Sequence, residues 1–511
     1  MKKLLSLVLV IALLLSCVVL CAQAEAADAV VRGGTLKVGK TNKLTGFDPS
    51  KTSSRNEDGY VYYLLFETLI TYDENGNLAP GLATGWSYSE DGLSMTLTLR
   101  QGVTFHDGTP FNAEAVKANM DYNTNPDNGH VYLKSELGNI VSTEVIDEYT
   151  VKINLSTVDA ALPSVFTNIC GLMLAPSTLG AEDMAIHPVG TGAFKLEEYV
   201  EGDHIFLTAY ENYWDKGADG QALPYLDRVE IYIMGDDSVR TINLQTGDID
   251  MVDYHLSGNS IMKAMDMSNV ITVMTNNRST YFLSFNLNDE RMGNPLVRQA
   301  VSYAVNREEL IEVCLEGFGV VDAFDATPDQ WFYSSYTPYT YDPEKAKALL
   351  EEAGFPDGIT IELSYISREP DATMCQLLQE QLKASGITLT LEPLERLAWI
   401  DKIKTNRSGE MGIGVITIQG LDPNQQYNST LAYCDPKCVT EIQQLLLSAK
   451  TTFDLEKRRE IFVEYQRQYL DDALYVILGQ YPRYSSYTTK LNGITYNPNG
   501  TFNLKAAWLS K

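Results

Sequence analysis

The sequence predicts a mixed α/β protein of two or three domains. The chain has 511 residues, 44% of them hydrophobic, which is enough to build more than one buried core. Its second half alternates segments of helical and of strand periodicity, a pattern typical of α/β domains. The sequence contains no internal repeat and no low-complexity tract that would indicate another architecture.

The first 24 residues are predicted to be a secretion signal. Lys2 and Lys3 precede an apolar run from Leu4 to Cys21, and Ala22-Gln23-Ala24 fits a cleavage site. The residues ending at Cys17 also resemble a lipobox, in which Cys17 would be lipidated and become the mature N-terminus. The apolar residues after Cys17 favour cleavage after Ala24, and both routes predict an exported protein.

Strand and helix signals follow one another through the first half. Residues 35–40 have the weak alternation of a first strand, and residues 60–72 are apolar at helical spacing before they turn extended. Met95, Leu97 and Leu99 alternate with polar residues, which predicts a half-buried strand. Residues 150–155 and 229–234 predict further strands.

The second half carries clearer helix boundaries. Asp342 caps a helix that has Pro343 at its first position and ends before Gly354. Asn306 with Glu309 forms a capping-box pattern before another helix. The remaining predicted strands lie at residues 359–366 and 387–394. Two further helices are predicted, one that ends at Gly386 and one that spans residues 456–470.

Charge and cysteine content narrow the range of partners. The 67 acidic residues exceed the 39 basic ones and give a formal charge of −28, so nucleic acid is a poor partner. Export permits disulfides, and Cys434 and Cys438 are close enough in sequence to form a small clamp. A metal site is the alternative for this pair, but no histidine or second cysteine pair lies nearby in sequence. No cofactor is predicted.

The pair His106-Asp107 is predicted to be a turn and not a catalytic dyad. Asp107-Gly108 is a turn dipeptide, and Asn112 beyond it is a good helix cap. No recognisable nucleophile motif accompanies the histidine, so every residue of the segment has a structural role.

Several long motifs around that turn resemble one family. Residues 81–116, GLATGWSYSEDGLSMTLTLRQGVTFHDGTPFNAEAV, closely resemble the signature of the peptide/nickel-type extracellular solute-binding proteins (family 5) of ABC importers. Further matches occur, in the family's order, at residues 188–215, 244–252, 294–311 and 341–355. The resemblance covers the whole mature chain.

The resemblance implies a periplasmic-binding-protein-like fold, with two α/β lobes, a hinge and an extra domain. Lobe one would comprise residues 32–70, 188–275 and 484–511. The extra domain would be residues 71–187, and lobe two would be residues 276–483. Ligand would bind in the cleft, and the lobes would close over it.

The resemblance also implies which segments contact the ligand. One is the loop after the first strand, with Ser53 and Arg55. The other includes Thr417, Ile418 and Gln419, where peptide binders of the family carry an aspartate at the position of Gln419. An amide cannot neutralise the charge of a ligand ammonium. Either the ligand therefore lacks a free α-ammonium at this position, or another carboxylate of the protein pairs with it. The alternative that Gln419 is a tolerated change in a pocket that still binds peptides stays open.

Four further residues and one segment take their roles from the resemblance. Arg368 matches an arginine that dipeptide binders use for the ligand carboxylate, and a solvated loop arginine is the alternative. Trp399 and the aromatic segment 331–341 are candidate stacking groups for a sugar, or simply packing residues. Cys434 and Cys438 fall where dipeptide binders place a disulfide.

The resemblance implies a monomeric, non-catalytic receptor that delivers an oligopeptide or dipeptide to the permease of an ABC transporter. An oligosaccharide or another ligand without a free α-ammonium is the alternative. A hydrolytic enzyme, a nickel-chelate binder and an adhesin or sensor subunit are the remaining rivals. The sequence lacks the usual serine-hydrolase, zinc-protease and phosphate-loop motifs. The membrane would be reached only through the permease or through lipid at Cys17.

Overall fold

A computed structural model gives the fold. It describes residues 30–511 except 45, 52–54, 74, 129–130, 254–255, 323, 325, 327, 329 and 418–421. The side chains of residues 55–57, 131–132, 276–277 and 429–430 are also outside the description.

The strands fall into one large sheet and several smaller ones. In chain order they are β1 Thr35–Lys40, β2 Ile70–Tyr72, β3 Leu78–Pro80, β4 Ala83–Tyr88, β5 Ser94–Leu99, β6 Ile140–Asp147, β7 Thr150–Leu155, β8 Phe194–Val200, β9 His204–Ala209, β10 Arg228–Ile233, β11 Met251–Val252, β12 Val270–Phe285, β13 Ile359–Ile366, β14 Ile387–Leu394, β15 Met411–Thr417, β16 Tyr475–Thr488, β17 Leu491–Asn492, β18 Thr495–Tyr496, β19 Phe502–Asn503 and β20 Trp508–Leu509.

Helices connect these strands. They are α1 Arg55–Leu65, α2 Ala113–Thr124, α3 Val131–Leu137, α4 Leu162–Val165, α5 Asp237–Thr246, α6 Gly258–Met265, α7 Pro295–Ala304, α8 Arg307–Cys314, α9 Pro343–Glu352, α10 Asp371–Lys383, α11 Arg396–Trp399, α12 Pro423–Leu431, α13 Thr440–Lys450 and α14 Leu455–Asp471.

The large sheet runs through both halves of the molecule. Its strand order is β14-β13-β15-β12-β16-β11-β1-β10-β9-β8. Parallel pairs occur on both sides, β1 with β10 and β11, and β13 with β14 and β15. The long strands β12 and β16 lie side by side in the middle, so they join the two α/β lobes.

A smaller antiparallel sheet forms a separate layer. Its order is β4-β5-β7-β6, and α2 packs against β6 and β7. Buried side chains of residues 36–251 and 491–508 make one large apolar core, whereas residues 281–478 supply further cores. The domain boundaries expected from the sequence remain a prediction.

Most of the predicted elements are confirmed. The Asp342 carboxylate accepts from the Lys345 N–H at 2.9 Å and begins α9, as its position before Pro343 predicts. The predicted strands at residues 35–40, 359–366 and 387–394 are β1, β13 and β14. The last helix begins slightly earlier than predicted, at Leu455, because Asp454 caps it.

Candidate functional site

The central feature of the site is the crossing of β12 and β16 between the lobes. The two strands pair from Val270 and Thr488 to Ser284 and Tyr475, and the register shifts between Met274 and Arg278. Such an irregularity interrupts a regular ladder and lets the strands bend. It lies at the point where the chain passes from one half of the sheet to the other.

The predicted ligand segment of lobe two begins beside this crossing. β15 ends at Thr417, which pairs with Ser279 of β12, and their hydroxyl oxygens are 3.2 Å apart. Thr417 is partly exposed. The end of β15 therefore holds the start of segment 417–419 against the interlobe strand.

A buried ion pair fixes the chain on the other side of that segment. Arg458 Nη2 donates to both carboxylate oxygens of Asp422, at 2.9 and 3.1 Å, and both side chains are buried. The same carboxylate accepts from the Asn424 N–H at 3.0 Å at the start of α12. Since the pair is enclosed, it restrains the backbone that follows residue 421.

A second buried ion pair lies at the end of β1. Lys40 Nζ is 3.2 Å from Asp58 Oδ1 of α1, and neither side chain is more than 1% exposed. This contact links the strand before the predicted first ligand loop to the helix after it. Ser53 lies outside the described residues. Arg55 begins α1, but its side chain is not described, so both remain predictions.

Arg368 lies just beyond β13 and is exposed. Its Nε is 3.2 Å from Asp371 Oδ2, and its side chain is 45% exposed. Burial raises the pKa of the Asp371 carboxyl, and the Arg368 charge opposes that shift. In this structure the guanidinium therefore shares its charge with Asp371.

Trp399 is a packing residue in this structure. Its ring is 4% exposed, its Nε1–H donates to the Ser364 carbonyl at 3.2 Å, and it lies 6.1 Å from the ring of Tyr433. Little of the ring reaches the surface, so the indole packs in the interior of this structure, and the stacking role expected from the sequence stays a prediction. Ile418 and Gln419 lie outside the described residues.

The structure contains no bond between Cys434 and Cys438, and the disulfide expected from the sequence stays a prediction. Cys434 and Cys438 are free thiols, the first buried and the second exposed. Cys434 Sγ is 3.2 Å from the Tyr475 hydroxyl, and burial raises its pKa to about 11. Cys438 ends a 3-10 turn and its Sγ is 3.6 Å from Asn288 Oδ1. The two sulfurs thus have separate partners.

The turn at His106 is confirmed. Asp107 accepts from the Thr109 N–H at 2.9 Å, and His106 Nε2 is 3.0 Å from the Gly192 carbonyl. Burial lowers the pKa of His106 to about 4, so the imidazole is neutral at pH 7. A neutral ring bonded to backbone ties the turn to the segment at 190–192.

The two halves also meet away from the sheet. Lys450 Nζ is 3.0 Å from Asp159 Oδ2, and the Ala160 N–H donates to the Lys450 carbonyl at 2.7 Å. The rings of Tyr88 and Phe453 are 4.6 Å apart. These contacts connect the layer of the small sheet to the turn between α13 and α14.

Sequence reasoning missed Arg278, Asp58 and Arg458 as partners in the site. Arg278 stands in the polar run TNNRST, residues 275–280, between the apolar parts of β12, and this was the available signal. Among the described residues, no cluster of three or more histidine, cysteine or acidic side chains fits a metal ion. No helix in the described part of the chain is long and apolar enough to cross a membrane.

Comparison with known proteins agrees with this architecture. Residues 77–436 match the bacterial extracellular solute-binding proteins, family 5 Middle. The chain is 33% identical over 373 residues to the glutathione-binding protein GsiB of Salmonella typhi, covering 72% of this chain and 70% of that protein. GsiB of Pectobacterium atrosepticum is 28% identical over 510 residues, 95% of each chain.

A solved structure extends the likeness to the fold. The periplasmic binding protein DppA of Helicobacter pylori, in complex with the peptide STSA, is 25% identical, with a TM-score of 0.77 over 94% of this chain and 99% of that one. Two lobes joined by long paired strands, together with this likeness, define a solute-binding protein of the periplasmic-binding-protein fold. The chain belongs to the bacterial extracellular solute-binding proteins, family 5.

Proposed function

We propose that this protein is an exported receptor that captures a peptide between its two lobes and delivers it to the permease of an ABC importer. The observation that supports this most is the likeness over nearly the whole chain to binding proteins for glutathione and for the peptide STSA. The receptor itself does not transform the peptide.

The geometry at the crossing strands is suited to a peptide ligand. The end of β15 at Thr417 leads into segment 418–421, and an extended peptide can add backbone hydrogen bonds to such a strand end. Arg368 offers a guanidinium to a carboxylate, and Ser53, Arg55, Ile418 and Gln419 complete the proposed set of ligand contacts.

Closure of the lobes would carry the signal to the permease. A ligand favours the closed form only by contacting it better than the open form. Lys450 contacts Asp159 and Ala160, and we propose that bonds of this kind hold lobe two against the extra domain in the closed form. We propose that the mature protein acts as a monomer outside the cytoplasm, after cleavage behind Ala24 or with lipid at Cys17.

Titration calorimetry on ligand-free protein tests the proposal. Bound cargo is first removed by unfolding and refolding, and the protein is then titrated with glutathione, with STSA, with maltotriose and with nickel plus histidine. Saturable binding of either peptide, and unchanged peptide masses after long incubation, are expected. Binding of the sugar or the nickel chelate alone would contradict the proposal, and cleavage of the peptide would favour an enzyme.

A further inference from the structure

Two cysteines, Cys314 and Cys375, lie on neighbouring helices in the second half of the chain. Cys314 is the last residue of α8 and is half-buried, whereas Cys375 lies on α10 and is completely buried. Cys314 follows the buried Leu310 by one helical turn, and Cys375 precedes the buried Leu378 by one turn. All four side chains pack in the same apolar core, so both thiols point into the space that the two helices share.

The two helices run in opposite directions. The Gln381 amide group, near the end of α10, donates to the Asn306 carbonyl at 3.1 Å and to Glu309 Oε2 at 2.9 Å, and its oxygen accepts from the Asn306 N–H at 3.1 Å. These contacts join the end of α10 to the start of α8. Burial, followed by the charge of Glu369 just before α10, raises the pKa of the Cys314 thiol to about 11. The end of α8 therefore lies at the start of α10.

This antiparallel arrangement brings the two thiols to the same level. From Glu309 to Cys314 the rise along α8 is roughly 7.5 Å, and from Gln381 back to Cys375 the rise along α10 is roughly 9 Å. Packed helices have axes roughly 8–10 Å apart and Cα atoms roughly 2.3 Å from each axis. Residues that face each other can therefore bring their Cα atoms within the roughly 4.4–6.8 Å that a disulfide spans. Burial, the charge of Asp371 and the Cys314 thiol, in that order, raise the pKa of Cys375, as expected of neighbouring sulfurs.

We propose that Cys314 and Cys375 form a disulfide when the exported protein meets a small-molecule disulfide. Oxidising conditions outside the cytoplasm allow such a bond to persist. The inference requires export but no particular ligand, so a failure of the protein to bind peptide would leave it unchanged.

The bond forms by two exchange steps, of which the half-buried Cys314 makes the first. Its thiolate attacks one sulfur of the small disulfide, forms a mixed disulfide and releases one small thiolate. The Cys375 thiolate then attacks the Cys314 sulfur, forms the protein disulfide and releases the second small thiolate. The two released thiolates take up the two protons that the cysteines lose. Because burial raises the pKa of both protein thiols, the exchange should take hours at neutral pH.

The bridge would connect two helices that pack on different strands of the large sheet. α8 packs against β16, and α10 packs against β13 and β14. A covalent link between the two helices restricts the unfolded chain over the long segment 315–374, so it should stabilise the folded protein. Both helices belong to the same half of the molecule, so the bridge should not restrain movement between the halves.

Oxidation of the purified mature protein tests the proposal. Reduced protein is incubated for many hours with 2-hydroxyethyl disulfide, which is not a peptide and should leave the proposed cleft empty. The protein is then unfolded, remaining thiols are alkylated, and peptides are mapped by mass spectrometry without reduction. Cys314→Ser and Cys375→Ser each remove one partner, and Cys170→Ser is the matched control, because Cys170 is buried in the other large core. The double variant Cys434→Ser, Cys438→Ser excludes exchange with that pair.

A peptide pair joined through Cys314 and Cys375 is expected in wild type, in Cys170→Ser and in the variant without Cys434 and Cys438. Oxidised wild type should melt roughly 5–10 °C above reduced wild type, and dithiothreitol should reverse the shift. Neither Cys314→Ser nor Cys375→Ser should show a melting shift on oxidation, because each lacks one of the two sulfurs.

Alkylation of both Cys314 and Cys375 after prolonged oxidation would overturn the inference. A lasting mixed disulfide at Cys314 alone would overturn it too, since Cys375 would then be out of reach. An oxidised protein that carries the bridge and melts no higher than the reduced one would refute the stabilising role. If Cys375→Ser fails to fold, the wild-type peptide map and the half-buried Cys314→Ser site still decide the question.

Discussion

Replacing Asp422 by asparagine should destabilise the protein strongly while leaving its shape almost unchanged. The Asp422 side chain is 3% exposed and accepts from Arg458 Nη2 through both oxygens. Asparagine has nearly the same volume and caps a helix about as well as aspartate, so the start of α12 is retained. The change therefore removes the negative charge and leaves Arg458 uncompensated.

The expected cost follows from that burial. Removing one partner of a buried pair costs about 3–5 kcal/mol of unfolding free energy. Arg458 keeps its bonds to the Ala449 carbonyl and Asn424 Oδ1, at 3.0 and 3.3 Å, so we expect the lower end, about 3 kcal/mol. The double variant Asp422→Asn, Arg458→Met removes the stranded charge and should recover most of the loss.

Equilibrium urea unfolding, followed by tryptophan fluorescence, measures these differences. The midpoint should fall in Asp422→Asn with the slope unchanged, and it should rise again in the double variant. Peptide affinity should fall too, because Asp422 anchors the chain directly after segment 418–421. A single variant within about 1 kcal/mol of wild type, or a double variant no better than the single one, would refute the reasoning.

Three other predictions follow from single residues. Burial lowers the pKa of His106 from 6.5 to about 4. Between these two pH values the unfolded chain binds a proton at His106 and the folded chain does not, so the free energy of unfolding falls as the pH drops from 6.5 to 4. His106→Gln should reduce the loss of unfolding free energy between pH 7 and pH 4.5 by about 2–3 kcal/mol. The same dependence of unfolding free energy on pH in wild type and variant would contradict this. In native protein an alkylating reagent should modify Cys438 and spare Cys434, whereas protection of both thiols before and after unfolding would indicate a bridge. If Gln419 faces the amino end of the ligand, Gln419→Asp should bind a free peptide more tightly and its N-acetylated form no more tightly. Unchanged affinities for both forms would remove Gln419 from the site.

The sequence predicts elements whose cause is local. Asp342 and Pro343 determine where α9 begins, because a cap and a fixed φ act within one turn of chain. The alternation of Met95, Leu97 and Leu99 likewise predicts β5, since one face of a strand is buried. The turn at Asp107 belongs to this group as well.

The contacts that build the site are not local. Arg278 meets Gln480 across 202 residues of sequence, and Asp422 meets Arg458 across 36. No periodicity determines such pairs, because they depend on how β12, β16, α12 and α14 are arranged in space. The family resemblance predicts a region for the site, but it does not identify these partners.

In two places the structure gives a side chain other partners than the sequence led us to expect, and for the same reason. Trp399 looked available for a ligand because aromatic residues are abundant, yet its indole packs under β13 and donates to Ser364. The spacing of Cys434 and Cys438 permits a bridge, but the 3-10 turn at Pro436–Cys438 carries the second sulfur to the surface. Side-chain direction and burial decide both cases, and neither is a property of sequence spacing.

Small-angle X-ray scattering of the refolded, ligand-free protein, repeated at saturating free-acid tripeptides, tests the central claim most directly. The account predicts a smaller radius of gyration with peptide than without it, because the lobes close about the crossing of β12 and β16. Calorimetry on the same samples establishes that the site is filled. An unchanged radius of gyration at full occupancy would contradict capture between closing lobes.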